Sequence, residues 1–169
     1  MRLLPVALAA LVGCSTGPCF APVGGATQGK AASKAVCHLF VMTDCPIANQ
    51  FAPEIGRIIG AYPQIEFRIV YEDGGDVDRH AREYGFPSAL RDEDHALARL
   101  LGATTTPEAI VTVDGAVRYR GRIDDRYYDL GKWRFQPTTR DLRDALEDIL
   151  GGRHVRVAET RAVGCSIPE

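Results

Sequence analysis

Hydrophobic and polar positions divide the chain into an unpatterned first fifth and a patterned remainder. Residues 3–12 are apolar behind a single arginine, and residues 15–33 are rich in Gly, Ala, Pro, Ser and Thr with no period. The latter stretch reads as a flexible tether. Residues 36–42 are apolar except for His38, the pattern of a strand covered on both faces. Residues 46–62 place Ile47, Phe51, Ile55, Ile58 and Ile59 at helical spacing, with Pro46 in the first turn and Pro53 set to kink the interior. A second strand is expected at 65–71, a short polar helix at 76–84, and another helix at 94–101 with Leu97, Leu100 and Leu101 as its buried edge.

Strands at 108–113 and 116–120 flank Asp114-Gly115, a strong hairpin signal. Thr138 or Thr139 is expected to cap a helix over 140–150, which stops at Gly151-Gly152. Residues 126–135, "RYYDLGKWRF", are aromatic with no clear period and read as a loop. Strands alternating with helices, followed by a hairpin, predict an α/β fold with a mixed sheet.

Composition narrows the class. The 169 residues suffice for one core, with 46% hydrophobic residues, 25% charged residues and a net charge of -2. No basic surplus suggests nucleic acid, and no run of about 18 apolar residues suggests a membrane span. The N-terminal apolar run reads as a signal peptide. Its end, Leu11-Val12-Gly13-Cys14, resembles the lipobox of bacterial lipoproteins. That resemblance implies cleavage before Cys14, lipidation of its thiol, and a domain facing the periplasm. Ser15 follows in place of an aspartate, which favours the outer membrane. The expected organisation is a signal peptide (1–13), a tether (14–33), a domain (34–152) and a C-terminal tail (153–169).

Five cysteines are present, and export makes disulfides possible. With Cys14 set aside, Cys19, Cys37, Cys45 and Cys165 allow three complete pairings. Cys19 sits in the tether and Cys37 in a buried strand, so both read as bystanders. Cys45 is different, because it lies where a strand ends and a helix begins. Free backbone amides and the helix dipole stabilise an anion there, which suits a nucleophilic thiolate. The amides around Pro46, Ile47 and Ala48 would supply that field. Among the histidines, His38 reads as a core residue, and His80, His95 and His154 as surface residues. Arg120 and Arg122 would stabilise a thiolate or a peroxide if their loop returned to Cys45.

"CPIANQFAP" resembles the active-site helix of thioredoxin-like proteins, with Cys45 as the nucleophile and Pro53 at the family's spacing. "TTTPEAIVTVDGAVRYRG" resembles the segment carrying that family's cis-proline, which places Thr106 and Pro107. In that family the cis bond leaves backbone exposed beside the cysteine, where a substrate strand can pair. "DCPIAN", "TPEAIV", "YRGRIDD" and "TRAVGCSI" are similar to an exported subgroup of the redoxin branch, which includes alkyl hydroperoxide reductase and thiol-specific antioxidant proteins. The resemblance implies a three-layer sandwich and a thiol-dependent oxidoreductase that needs no cofactor or metal. Its partners would be a disulfide or peroxide substrate and an external thiol reductant.

The departures are specific. Ala48 replaces the second cysteine of the dithiol motif, and Asn49 replaces the second cysteine of Sco-type copper proteins. Met42 stands three residues before Cys45, where peroxiredoxins carry threonine, and Thr43 lies one residue nearer. A resolving thiol must therefore come from elsewhere, and Cys165 on its glycine-preceded tail is the expected one. Two alternatives belong to other classes: a copper-delivery module using Cys45, Cys165 and a histidine, and a redox-inactive scaffold with a purely structural disulfide.

Overall fold

The computed structural model describes residues 34–168. The expected signal peptide, tether, Cys14 and Cys19 lie outside the described residues. Strand β1 (Ala35–Val41) leads to helix α1 (Pro46–Ala61), β2 (Glu66–Tyr71), α2 (Val77–Tyr84), β3 (Ala89–Arg91) and α3 (Ala96–Leu101). Then follow β4 (Thr105–Thr106), β5 (Glu108–Val113), β6 (Ala116–Gly121), β7 (Tyr127–Asp129), β8 (Lys132–Trp133), α4 (Asp141–Leu150) and β9 (Cys165–Ser166).

Five strands form one sheet in the order β3-β2-β1-β5-β6. β1, β2 and β3 are parallel, while β5 and β6 run antiparallel through the Asp114-Gly115 turn. Central β1 is buried at every position, as its unbroken apolar run requires. Its side chains alternate between two cores. Leu39 and Val41 join Phe51, Ile55 and Ile58 of α1 and Leu142 and Leu146 of α4 on one face. Phe40 joins Ala98 of α3, Ala103, Ile110 and Ile167 on the other. Helices thus cover both faces of a mixed sheet, a three-layer α/β sandwich.

Several expectations are corrected. In α3 the buried residue is Ala98, while Leu100 is 79% exposed, because three turns of helix are not available to carry a full apolar stripe. Asp92 holds the start of α3 by accepting from the amides of Leu97 and Ala98. Neither threonine caps α4: Arg140 occupies that position without a side-chain bond. Thr138 and Thr139 instead donate their amides to buried Asp125, at 2.6 and 3.0 Å. Residues 126–135 form the β7–β8 hairpin and not a plain loop. The tail runs along the outside of β6, where the Arg120 amide donates to the Ala158 carbonyl and the Thr160 amide to the Arg120 carbonyl, before reaching β4. Among the described residues no helix is long and apolar enough to cross a membrane.

Candidate redox site

β1 ends in a turn closed by the Cys45 amide donating to the Met42 carbonyl. Cys45 is the N-cap of α1, in extended conformation, and its sulfur accepts from the Ala48 amide at 3.5 Å. Pro46 occupies the first helical position, where its lack of an N–H leaves nothing unsatisfied. One amide of the first turn therefore points at the sulfur, on the positive end of a 16-residue helix. The Cys45 thiol donates to the Thr106 carbonyl at 3.2 Å, and the Thr106–Pro107 bond is cis.

The tail closes the site. β9 pairs antiparallel with β4, placing Cys165 opposite Thr106 and Ser166 opposite Thr105. Ile167 donates its amide to the Thr104 carbonyl at 3.0 Å and buries its side chain. Cys165 lies beside Cys45, whose own thiol reaches the Thr106 that Cys165 faces. Cys45 is thereby fully buried, and Cys165 is partly exposed. Both are free thiols in this structure, as is buried Cys37. The tail is thus a docked strand here.

The turn before Cys45 is braced by a hydrogen-bond network that the sequence did not reveal. The Thr43 amide donates to Asp73 at 2.9 Å, and its hydroxyl is committed to the same carboxylate. Asn49 donates to the Thr43 carbonyl at 3.1 Å and accepts from His80 Nε2 at 2.8 Å. With its Nε2 donating, His80 accepts from the Tyr71 hydroxyl at Nδ1, 2.9 Å away. His80 is buried among Tyr71, Tyr84 and Phe86, which corrects its expected surface position. The spacing of Val77, His80 and Ala81 on α2 carried that signal, since the three lie on one helical face. His95 is likewise engaged, with Nδ1 2.7 Å from buried Glu72, whereas His154 is exposed.

Arg120 and Arg122 have partners elsewhere. Arg122 forms a forked pair with Asp141 at 2.9 and 3.2 Å, and Arg120 donates to the Leu101 carbonyl at 2.7 Å. Among the described residues no three His, Cys, Asp or Glu side chains converge on a metal position.

Burial pushes the Cys165 thiol up to about 12, aided by Cys45 and by the negative charge of Asp44. Burial raises the Cys37 thiol too, and Tyr71 is pushed up to about 12 by burial and by Asp73. Each group keeps its proton in the folded protein at pH values where the unfolded chain releases it. That stabilisation is complete below the unfolded thiol value of ~8.5 and fades as pH climbs toward the folded values. The urea midpoint of the reduced protein should therefore fall between neutral pH and pH ~10, and fall less in Cys165→Ser. A midpoint that stays flat across that range would contradict the burial of these protons.

Known structures agree with the architecture. An uncharacterized conserved protein from Geobacillus kaustophilus matches with a TM-score of 0.69 and 27% identity, covering 81% of this chain and 78% of its own. A hypothetical protein from Sinorhizobium meliloti 1021 matches with a TM-score of 0.69 and 24% identity, covering 80% and 79%. A candidate thioredoxin from Neisseria meningitidis matches with a TM-score of 0.53 and 16% identity, covering 70% and 75%. No family model and no curated protein matches the chain. The fold is thioredoxin-like, and within it two thiols meet at the start of α1.

Proposed function

We propose that this protein is an exported thiol-dependent oxidoreductase that cycles Cys45 and Cys165 between two thiols and one disulfide. The observation that carries the reading is the meeting of the two cysteines at Thr106, beside the first turn of α1: Cys165 pairs opposite it in β4–β9, and the Cys45 thiol donates to its carbonyl. The Cys45 thiolate attacks one sulfur of a substrate disulfide and expels the other as a thiolate, which takes up a proton. The Cys165 thiolate, after giving up its own proton, then attacks the Cys45 sulfur, releasing the second substrate thiol and leaving the Cys45–Cys165 disulfide. With a peroxide, Cys45 becomes a sulfenic acid as water or an alcohol leaves, and Cys165 condenses with it and releases water. In both cases two equivalents of an external thiol reduce the disulfide again. The chemistry resides in the two sulfurs and calls for no cofactor. Ala48 orients the nucleophile, Pro46 and Ile47 build the turn around it, and Thr106 and Pro107 shape the groove. Cys14 is the proposed lipid attachment point, which holds the domain facing the periplasm, with the outer membrane favoured.

Mass spectrometry with thiols trapped before and after a small excess of hydrogen peroxide, or of a disulfide, tests the cycle. Oxidation should produce a Cys45–Cys165 disulfide. Cys165→Ser should accumulate sulfenic acid with peroxide and a mixed disulfide with a disulfide substrate, and the more productive oxidant identifies the substrate class. Persistence of reduced Cys45 under both oxidants would refute the proposal.

A further inference from the structure

The β7–β8 hairpin exposes more apolar surface than a solvated turn accounts for. Phe135 is 87% exposed, Leu130 67%, Trp133 57% and Tyr128 50%. They cluster within eight residues, interleaved with charges that are already engaged. Lys132 pairs with Asp129 at 2.9 Å, and Arg134 stacks on Tyr128 and donates to the Asp125 carbonyl. Such a tip is apolar at its crest and charge-neutral along its sides.

Beside the base of this hairpin lies a cavity of about 430 Å³ with the opposite character. Arg57, Arg126, Arg140 and Arg143 line it, against Glu54 and Asp124. Glu54 is shared between Arg57 and Arg143, and Asp124 pairs with Arg126. Two positive charges are left in excess, on a chain whose net charge is -2. Arg126 and Gln136, at the two ends of the hairpin, both line the cavity, so the cavity sits at the base from which the apolar tip projects.

We propose that this face docks on a membrane, the aromatic tip entering the headgroup zone and the arginine cavity holding the phosphate of an acidic phospholipid. The occupant follows from both halves together. The tip calls for an apolar medium with a polar boundary, where Trp and Tyr are favoured, and the cavity calls for an anion with several acceptor oxygens. A bilayer containing acidic phospholipid presents both, the apolar boundary to the projecting tip and the phosphates to the cavity at its base. Docking is independent of the thiol cycle, so Cys45→Ser should dock as the parent does.

Trp133 is the single tryptophan of the chain and sits on the tip, so its emission reports contact of this face directly. The full chain carrying Cys14→Ser, which excludes an acyl anchor, is titrated with phosphatidylcholine vesicles with and without phosphatidylglycerol. The expected result is a blue shift of Trp133 emission with the acidic vesicles, reversed by added salt. Arg57→Glu with Arg140→Glu should weaken that partition by about thirtyfold or more, at roughly fivefold for each positive charge lost. Leu130→Ser with Phe135→Ser should abolish the shift. Sedimentation with vesicles while Trp133 emission stays unchanged would overturn the proposal, because binding would then lie elsewhere in the chain. An equal shift with neutral vesicles, with inorganic phosphate alone, or on concentrating the protein without vesicles would overturn it as well.

Discussion

Replacing Gly164 with alanine should accelerate the first attack by Cys45 and slow closure of the Cys45–Cys165 disulfide by on the order of tenfold or more. A Cβ at position 164 would be driven into the Thr106 carbonyl oxygen, with the carbonyl carbon 2.6 Å away and Pro107 N at 3.2 Å. These are backbone atoms of the segment that also receives the Cys45 thiol, so no side-chain rotation relieves the clash. The requirement is for space, since Gly164 does not have a left-handed φ. The tail is held over the site by the two residue pairs of β4–β9 and by buried Ile167, a side chain worth about 1.5–3 kcal/mol. Displacement of that strand uncovers Cys45, which is 0% exposed, and withdraws Cys165 from it. Stopped-flow oxidation with trapping of both sulfurs separates the two rates. Unchanged rates for both steps would show that the tail neither covers the nucleophile nor presents the second thiol.

The opposed signs in that expectation are informative about the site. A variant that merely loosened the domain would slow both steps, because the turn at Cys45 depends on the Thr43, Asp73, Asn49 and His80 network as well as on the tail. Gly164 touches none of those residues among its nearest neighbours. In the proposed cycle the tail is both the cover over Cys45 and the carrier of the second thiol, and the brace beneath Cys45 is a separate structure.

The elements legible in the sequence are those whose pattern reports their own burial. β1 announces itself by an unbroken apolar run, α1 by its helical period, and the β5–β6 hairpin by Asp114-Gly115. Cys45 was legible because a strand–helix junction is a local feature. What escaped depends on partners distant in the chain. β4 and β9 are two residues each and exist only because the chain brings Thr106 against Cys165, 59 positions later. β3 is exposed along its length and carries no hydrophobic signal. Asn49 and His80 are polar side chains whose role arises from a bond between α1 and α2, which no local period encodes.

Leu146→Ala and Leu100→Ala should lie at opposite ends of the stability scale, although both leucines occupy apolar positions of helices. Leu146 is 0% exposed and packs in the larger core with Leu142, Ile55 and Ile58. Its truncation removes buried methyl groups and leaves a cavity that the sheet cannot close, at a cost of about 2–5 kcal/mol. Against a total stability of roughly 5–15 kcal/mol, that is a large share. Leu100 is 79% exposed, with Ala98 filling the space beneath α3, and its loss should change stability by about 0.5 kcal/mol or less. The better helix propensity of alanine offsets part of even that. Urea unfolding of the reduced protein measures both, with unchanged m-values confirming that only the midpoints have moved. A loss at Leu100 of more than about 1.5 kcal/mol would mean that α3 packs by its leucine period after all, with Leu100 turned into the second core beside Phe40 and Ile110.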